Sequence, residues 1–185
     1  MSDQWPGEAP EDEDVQEPDE EAAELHVHEH ADDGIEIPDD VELLEGEVRD
    51  SRRGVGIVLA RTTPETANTM LQSALEELGR VGVGRENVTV MLVPGPFELA
   101  LGAMALAKTR RYSCVIALGD ASEHAVVASE TASGLQLAGL ETGVPVSFGV
   151  LIEGGDAAAR AVEAARRGLE MADLFQQLRA AARAH

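Results

Sequence analysis

Between Gly54 and Ala184 the chain alternates four times between a short, nearly continuous apolar run and a longer run whose apolar residues recur every three or four positions. The short runs are Gly54–Ala60 (G-V-G-I-V-L-A), Val88–Leu92 (V-T-V-M-L), Ser113–Leu118 (S-C-V-I-A-L) and Val146–Ile152 (V-S-F-G-V-L-I). Runs of this length with almost no polar alternation predict strands covered on both faces. The longer runs predict helices over Pro64–Gly79, Leu99–Lys108, Glu123–Thr142 and Asp156–Ala184. The first carries Ala67, Met70, Leu71, Ala74, Leu75 and Leu78 on one face, with Thr62 or Thr63 as a cap and Pro64 at its first position. In the third, Leu135, Leu137, Leu140 and the Val126-Val127 pair are the core candidates. Strand and helix in alternation imply right-handed crossovers, and so a three-layer α/β domain: a four-stranded parallel sheet with helices on both faces.

The chain before Gly54 has a different pattern. Leu43–Val48 (L-L-E-G-E-V) reads as an N-terminal edge strand opening a domain of residues 43–185. Residues 1–42 are acidic, dotted with proline and poor in large apolar side chains. Such a segment buries too little surface to offset its ordering entropy and is expected to be a disordered tail. Charge sharpens the boundary, because residues 1–50 hold 21 Asp and Glu against one Arg, whereas residues 51–185 hold 14 against 13 Lys and Arg. The acidity of the chain therefore belongs to its front segment, and a near-neutral domain behind an acidic tail argues against a nucleic-acid partner. His26, His28 and His30 alternate in H-V-H-E-H, but on an acidic, unstructured segment they make at most a weak site, and no metal is expected. No apolar run is long enough to span a bilayer, and no basic-then-apolar leader is present, so a membrane association is not expected. The single cysteine, Cys114, falls in a buried strand, and a reducing cytoplasm is the expected compartment.

In a parallel sheet of this kind the turns after the four strands gather at the carboxyl edge, where ligands bind in open α/β folds. Those turns are Arg61–Thr63, Pro94–Glu98, Gly119–Glu123 and the stretch from Phe148 to Gly155. The second, V-P-G-P-F-E, puts Pro96, Phe97 and Glu98 at a helix start, an aromatic face and an acceptor beside the crevice. The alternative is that Phe97 packs in the core and Glu98 only complements the helix dipole.

Five separated motifs, in order, resemble the lumazine synthase family: V-P-G-P-F-E-L-A, L-A-K-T, Y-S-C-V-I-A-L-G, E-T-G-V-P-V-S-F-G-V-L and L-E-M-A-D-L. The resemblance spans roughly residues 43–178 and implies the flavodoxin-like sheet of that family. It also implies the penultimate step of riboflavin synthesis, in which 5-amino-6-(D-ribitylamino)uracil and 3,4-dihydroxy-2-butanone 4-phosphate condense to 6,7-dimethyl-8-ribityllumazine without metal or organic cofactor. The family forms pentamers, in some members assembled into a larger shell, with active sites between adjacent subunits. By position, Phe97 and Glu98 would meet the pyrimidine and its ribityl chain, and Phe148 would line the ring pocket from the neighbouring subunit. The L-L-E-G-E-V run stands where the family has a strand that joins a neighbour's sheet.

The sequence departs from that pattern where the chemistry lies. Thr62 stands where the family carries a ring-stacking aromatic. The loop after the third strand is cut to Gly119-Asp120-Ala121-Ser122-Glu123-His124, which puts Glu123 at the family's proton-transfer histidine and His124 one place further on. Asp120 occupies the approach of the phosphate, and a carboxylate there competes for the donors an anion would use. The basic loop before the last helix is missing, leaving Arg166 and Arg167 as substitutes or as solvated charges. Three readings stay open: a lumazine synthase with a rearranged phosphate site, a non-catalytic shell-forming or pyrimidine- or flavin-binding relative, and a catalyst for a different carbonyl and amine.

Overall fold

A computed structural model describes residues 27–29, 36–38, 41, 43–50, 53–61 and 63–184. The chain divides into two compact units, Met1–Leu43 and Leu44–His185. In the first, β1 (Val27–Glu29) pairs antiparallel with β2 (Glu36–Pro38), with His28 and Ile37 as backbone partners in the register. This pair lies within the segment expected to be a disordered tail, while His26 and His30 fall outside the described residues.

In the second unit the four apolar runs are β3 (Gly54–Ala60), β4 (Val88–Val93), β5 (Tyr112–Asp120) and β6 (Val146–Leu151), all parallel in the order β4-β3-β5-β6. From β3 the chain goes first to one side and then to the other, so the topological switch point lies between β3 and β5. The four helices are α1 (Pro64–Arg80), α2 (Leu99–Lys108), α3 (Ala125–Thr142) and α4 (Ala157–Ala184). One core layer joins Val55, Ile57, Cys114 and Ile116 to Met70, Ala74 and Leu78 of α1 and to Ala161, Ala165 and Leu169 of α4. The other joins Val58, Val115, Ala117 and Val150 to Leu99 and Ala103 of α2 and to Leu135 and Ala138 of α3. The alternation of side chains along β3 and β5 feeds both layers, which is why these runs lack a polar face. Burial pushes the Cys114 thiol up to about 12, so it is an inert core residue.

Three local expectations are corrected. Leu43–Val48 forms no strand among the described residues. Instead, residues 44–50 run along α4, anchored on Asp173, which is 4% exposed. The Glu47 N–H donates to Asp173 Oδ2 at 3.0 Å, Arg49 Nε to Oδ1 at 2.7 Å and Gln177 Nε2 to Oδ2 at 2.8 Å. Gly46 lets this backbone approach α4, because a Cβ there would run into the Glu170 carbonyl. In α3, Leu135 is buried as expected, but Val126, Leu137 and Leu140 are exposed, at 75%, 51% and 76%. The inward face is built of small residues, Ala128, Thr131 and Ala138, which bring α3 close to α2: a Cβ at Gly134 would lie 2.6 Å from Ala100 Cβ. At the start of α1, Thr63 occupies the cap position, but its hydroxyl makes no capping bond.

A tight approach also governs β6. A Cβ at Gly149 would sit 2.6 Å from Leu118 Cδ2 and 2.9 Å from both the Ala117 carbonyl oxygen and Ala164 Cβ. Strand propensity alone makes Gly→Ala favourable, but overpacking against a backbone oxygen cannot relax. Gly149→Ala is therefore expected to destabilise the domain by about 1–3 kcal/mol in urea unfolding; a more stable variant would contradict this packing.

Candidate active site at the carboxyl edge of the sheet

Three strand ends converge at the switch point. Thr63 follows β3, Pro96 follows β4, and Asp120, Ala121, Glu123 and His124 follow β5; together they line a cavity of about 300 Å³. The β4 turn is held in place from α3, where the buried Thr131 hydroxyl donates to the Pro96 carbonyl at 3.0 Å. The β5 loop is fixed by Asp120, whose Oδ1 accepts from the Ser122 N–H at 2.9 Å and from the Ser122 hydroxyl. The Ala121 N–H donates to the Leu151 carbonyl at 2.9 Å, which ties the loop to the end of β6. His124 is the residue before α3, and its carbonyl accepts the first helical bond, from Ala128 at 3.0 Å. Its side chain and that of Glu123 are exposed at the mouth.

Of the residues singled out in the sequence, Pro96, Asp120, Glu123 and His124 meet around this cavity. Gly119 lies buried beneath it, where a Cβ would come 3.0 Å from Ala60 Cβ and 3.1 Å from Leu99 Cδ1. Thr62 is outside the described residues; its neighbour Thr63 lines the cavity. Phe97 is 67% exposed, not packed in the core, and Glu98 is half-buried with its carboxylate turned back towards Gly95. Neither lines the crevice of its own chain.

Phe148 belongs to a second cavity, of about 250 Å³, at the outer edge of β6, shared with Ser147, Arg167, Gly168 and Met171. Arg167 pairs with Glu163 at 2.6 Å. Arg166 faces the other way, onto α1, where its Nε lies 2.7 Å from Glu77 Oε1. Hydrogen bonds from Arg80, outweighing burial and joined by Arg166, lower the Glu77 carboxyl to about 2. Neither arginine reaches the crevice. One cation at the carboxyl edge escaped the sequence reading: Arg160 lines a cavity of about 400 Å³ with Leu151, Gly154, Gly155, Asp156 and Glu163. Gly154 and Gly155, at φ 82° and 114°, turn the chain out of β6, and Asp156 Oδ1 caps α4 by accepting from the Ala158 and Ala159 N–H groups. The signal was a Gly-Gly-Asp helix start directly after a strand, four residues before an arginine. Glu163 Oε2 lies 3.2 Å from the Arg160 guanidinium and offsets its charge.

A parallel doubly wound sheet with a crevice at its switch point defines a class of small-molecule-binding α/β proteins. The family model for 6,7-dimethyl-8-ribityllumazine synthase matches residues 53–179, and the chain belongs to that family. The 6,7-dimethyl-8-ribityllumazine synthases of Yersinia pestis (strain Pestoides F) and Yersinia pseudotuberculosis serotype O:1b (strain IP 31758) are each 37% identical to it over 153 residues, covering 74% of this chain and 98% of theirs. Since 74% of 185 residues is about 137, about 16 of the 153 aligned positions have no counterpart here, in keeping with shortened loops.

Proposed function

We propose that this protein is a lumazine synthase-like member of the riboflavin pathway that keeps much of its ring side, Thr62 apart, and whose phosphate side is weak. It binds 5-amino-6-(D-ribitylamino)uracil, and the lumazine formed from it, in preference to 3,4-dihydroxy-2-butanone 4-phosphate, and it condenses the two slowly. The observation that carries this reading is the lining of the crevice. Among the described residues it holds two carboxylates, Asp120 and Glu123, and no lysine or arginine. A phosphate monoester brings about two negative charges and is costly to desolvate without cationic partners. The condensation needs protons taken from the amine and given to the departing oxygen, and Glu123 and His124 stand together at the mouth to move them.

Assembly completes the ring site. Phe97, Leu101, Val126 and Leu140 are exposed at 67%, 73%, 75% and 76%, a cost in water for a lone chain and the expected surface of a homo-oligomer. In a pentamer, Phe148 of one subunit would face Phe97 and Glu98 of the next; a larger shell adds contacts between pentamers. No helix among the described residues is long and apolar enough to cross a membrane, and a cytoplasmic location follows from the pathway. A second reading, a ring-binding relative without catalysis, rests on the same acidic lining and differs only in rate.

Separate titrations of the full chain with the lumazine and with the phosphorylated ketone test the proposal. The lumazine is expected to bind at least about tenfold more tightly, a difference of about 1.4 kcal/mol; equal affinities would refute it. Light scattering is expected to give a closed ring, and a monodisperse monomer at micromolar concentration would contradict the shared site.

A further inference from the structure

At the opposite, amino edge of the sheet lies a cavity of about 290 Å³ of a different character. Arg53 enters it from the residue before β3, and Ser113 from the start of β5. One face of α4 closes it, through Ala172, Gln176, Arg179, Ala180 and Arg183, at helical spacing. Among the described residues the lining therefore carries three guanidiniums, an amide and a hydroxyl, and no carboxylate, in a domain whose overall charge is close to neutral. Arg179 is held in position: its Nη2 donates to the Gly143 carbonyl at 3.0 Å, and its guanidinium lies 5.8 Å from the Phe175 ring centroid. Cations at a helix C-terminus complement the dipole, which accounts for Arg179 and Arg183 on α4. Arg53 arrives from a different element and brings a third guanidinium to the same cavity.

We propose that this cavity binds a phosphate-bearing small molecule, a phosphate monoester or diphosphate, at a site separate from the carboxyl-edge crevice. Guanidinium forks match phosphate oxygens in pairs, and an amide and a hydroxyl supply further donors. The two sites are at opposite ends of β3, seven residues at about 3.3 Å each, or about 20 Å apart. They do not compete for one ligand.

Calorimetric titration of the full chain with pyrophosphate, and separately with inorganic phosphate, tests this at an ionic strength held constant with potassium chloride. One pyrophosphate per chain is expected, bound more tightly than inorganic phosphate. Arg183→Gln, on an exposed residue near the end of α4, is expected to weaken binding about fivefold or more, and Arg53→Gln with Arg183→Gln to abolish it. Arg160→Ala, which removes a cation at the carboxyl edge, is expected to leave it unchanged. No saturable heat from the unmodified protein in the millimolar range would overturn the proposal. So would equal affinity in the double variant, or loss of binding in Arg160→Ala alone.

Discussion

Asp120→Asn combined with Glu123→Lys is expected to strengthen binding of the phosphorylated ketone by about tenfold or more per charge changed, with lumazine affinity altered far less. The asparagine keeps an oxygen where Asp120 Oδ1 accepts from Ser122, so the loop retains its turn while losing its charge. The lysine replaces an exposed carboxylate at the crevice mouth with the kind of cation the lining lacks. Both changes act on the same ligand group, so a selective gain for the ketone phosphate separates charge from general remodelling. Titrations of the two ligands against the variant measure it, and a parallel change for both would mean that the acidic lining is not what discriminates.

Asp173→Ala is expected to cost about 2–4 kcal/mol, because it strips a buried acceptor from the Glu47 N–H, Arg49 and Gln177 together. The loss should be uneven. Hydrogen exchange is expected to speed up at residues 44–50 well before the sheet opens, since that segment is fastened to α4 largely through this carboxylate. The same network sets a pH dependence. Burial alone would raise the Asp173 carboxyl, but its bonds to Glu47, Gln177 and Arg49 outweigh burial and lower it. Glu77 is also lowered, from 4.5 to about 2. A carboxyl lowered in the folded state stabilises above its unfolded value and loses that contribution as pH falls through its folded value. For Glu77 the window runs from about 4.5 down to about 2, and with Arg80 and Arg166 half exposed the contribution is about 1–3 kcal/mol. Urea midpoints that stay level across that range in the unmodified protein would contradict both pairings.

The sheet and its helices were legible because β3, β5 and the inward face of α1 are written in local periodicity. The carboxyl-edge crevice was legible for the same reason: Pro96, Asp120, Glu123 and His124 all follow directly from where strands end. What escaped depends on residues far apart in the chain. Arg166 looks like a candidate anion ligand until Glu77, 89 positions away, is found beside it, and the role of Asp173 needs Glu47, 126 positions away. The third helix misled because its large residues mark its outer face. Val126, Leu137 and Leu140 stay exposed while alanine and threonine pack inward against α2, a choice dictated by the close approach at Gly134. Periodicity locates an apolar stripe but does not say whether the molecule covering it is the same chain. Phe148 and the crevice are likewise separate within one chain, lining different cavities; in the proposed pentamer a neighbouring subunit would bring them together.

The rate of lumazine formation, above the uncatalysed background, as a function of phosphorylated-ketone concentration at saturating 5-amino-6-(D-ribitylamino)uracil tests the central claim most directly. A ring site without phosphate cations predicts a rate that saturates with the pyrimidine but rises linearly with the ketone phosphate throughout the range that saturates the pyrimidine. Hyperbolic saturation by both substrates at comparable concentrations would contradict it.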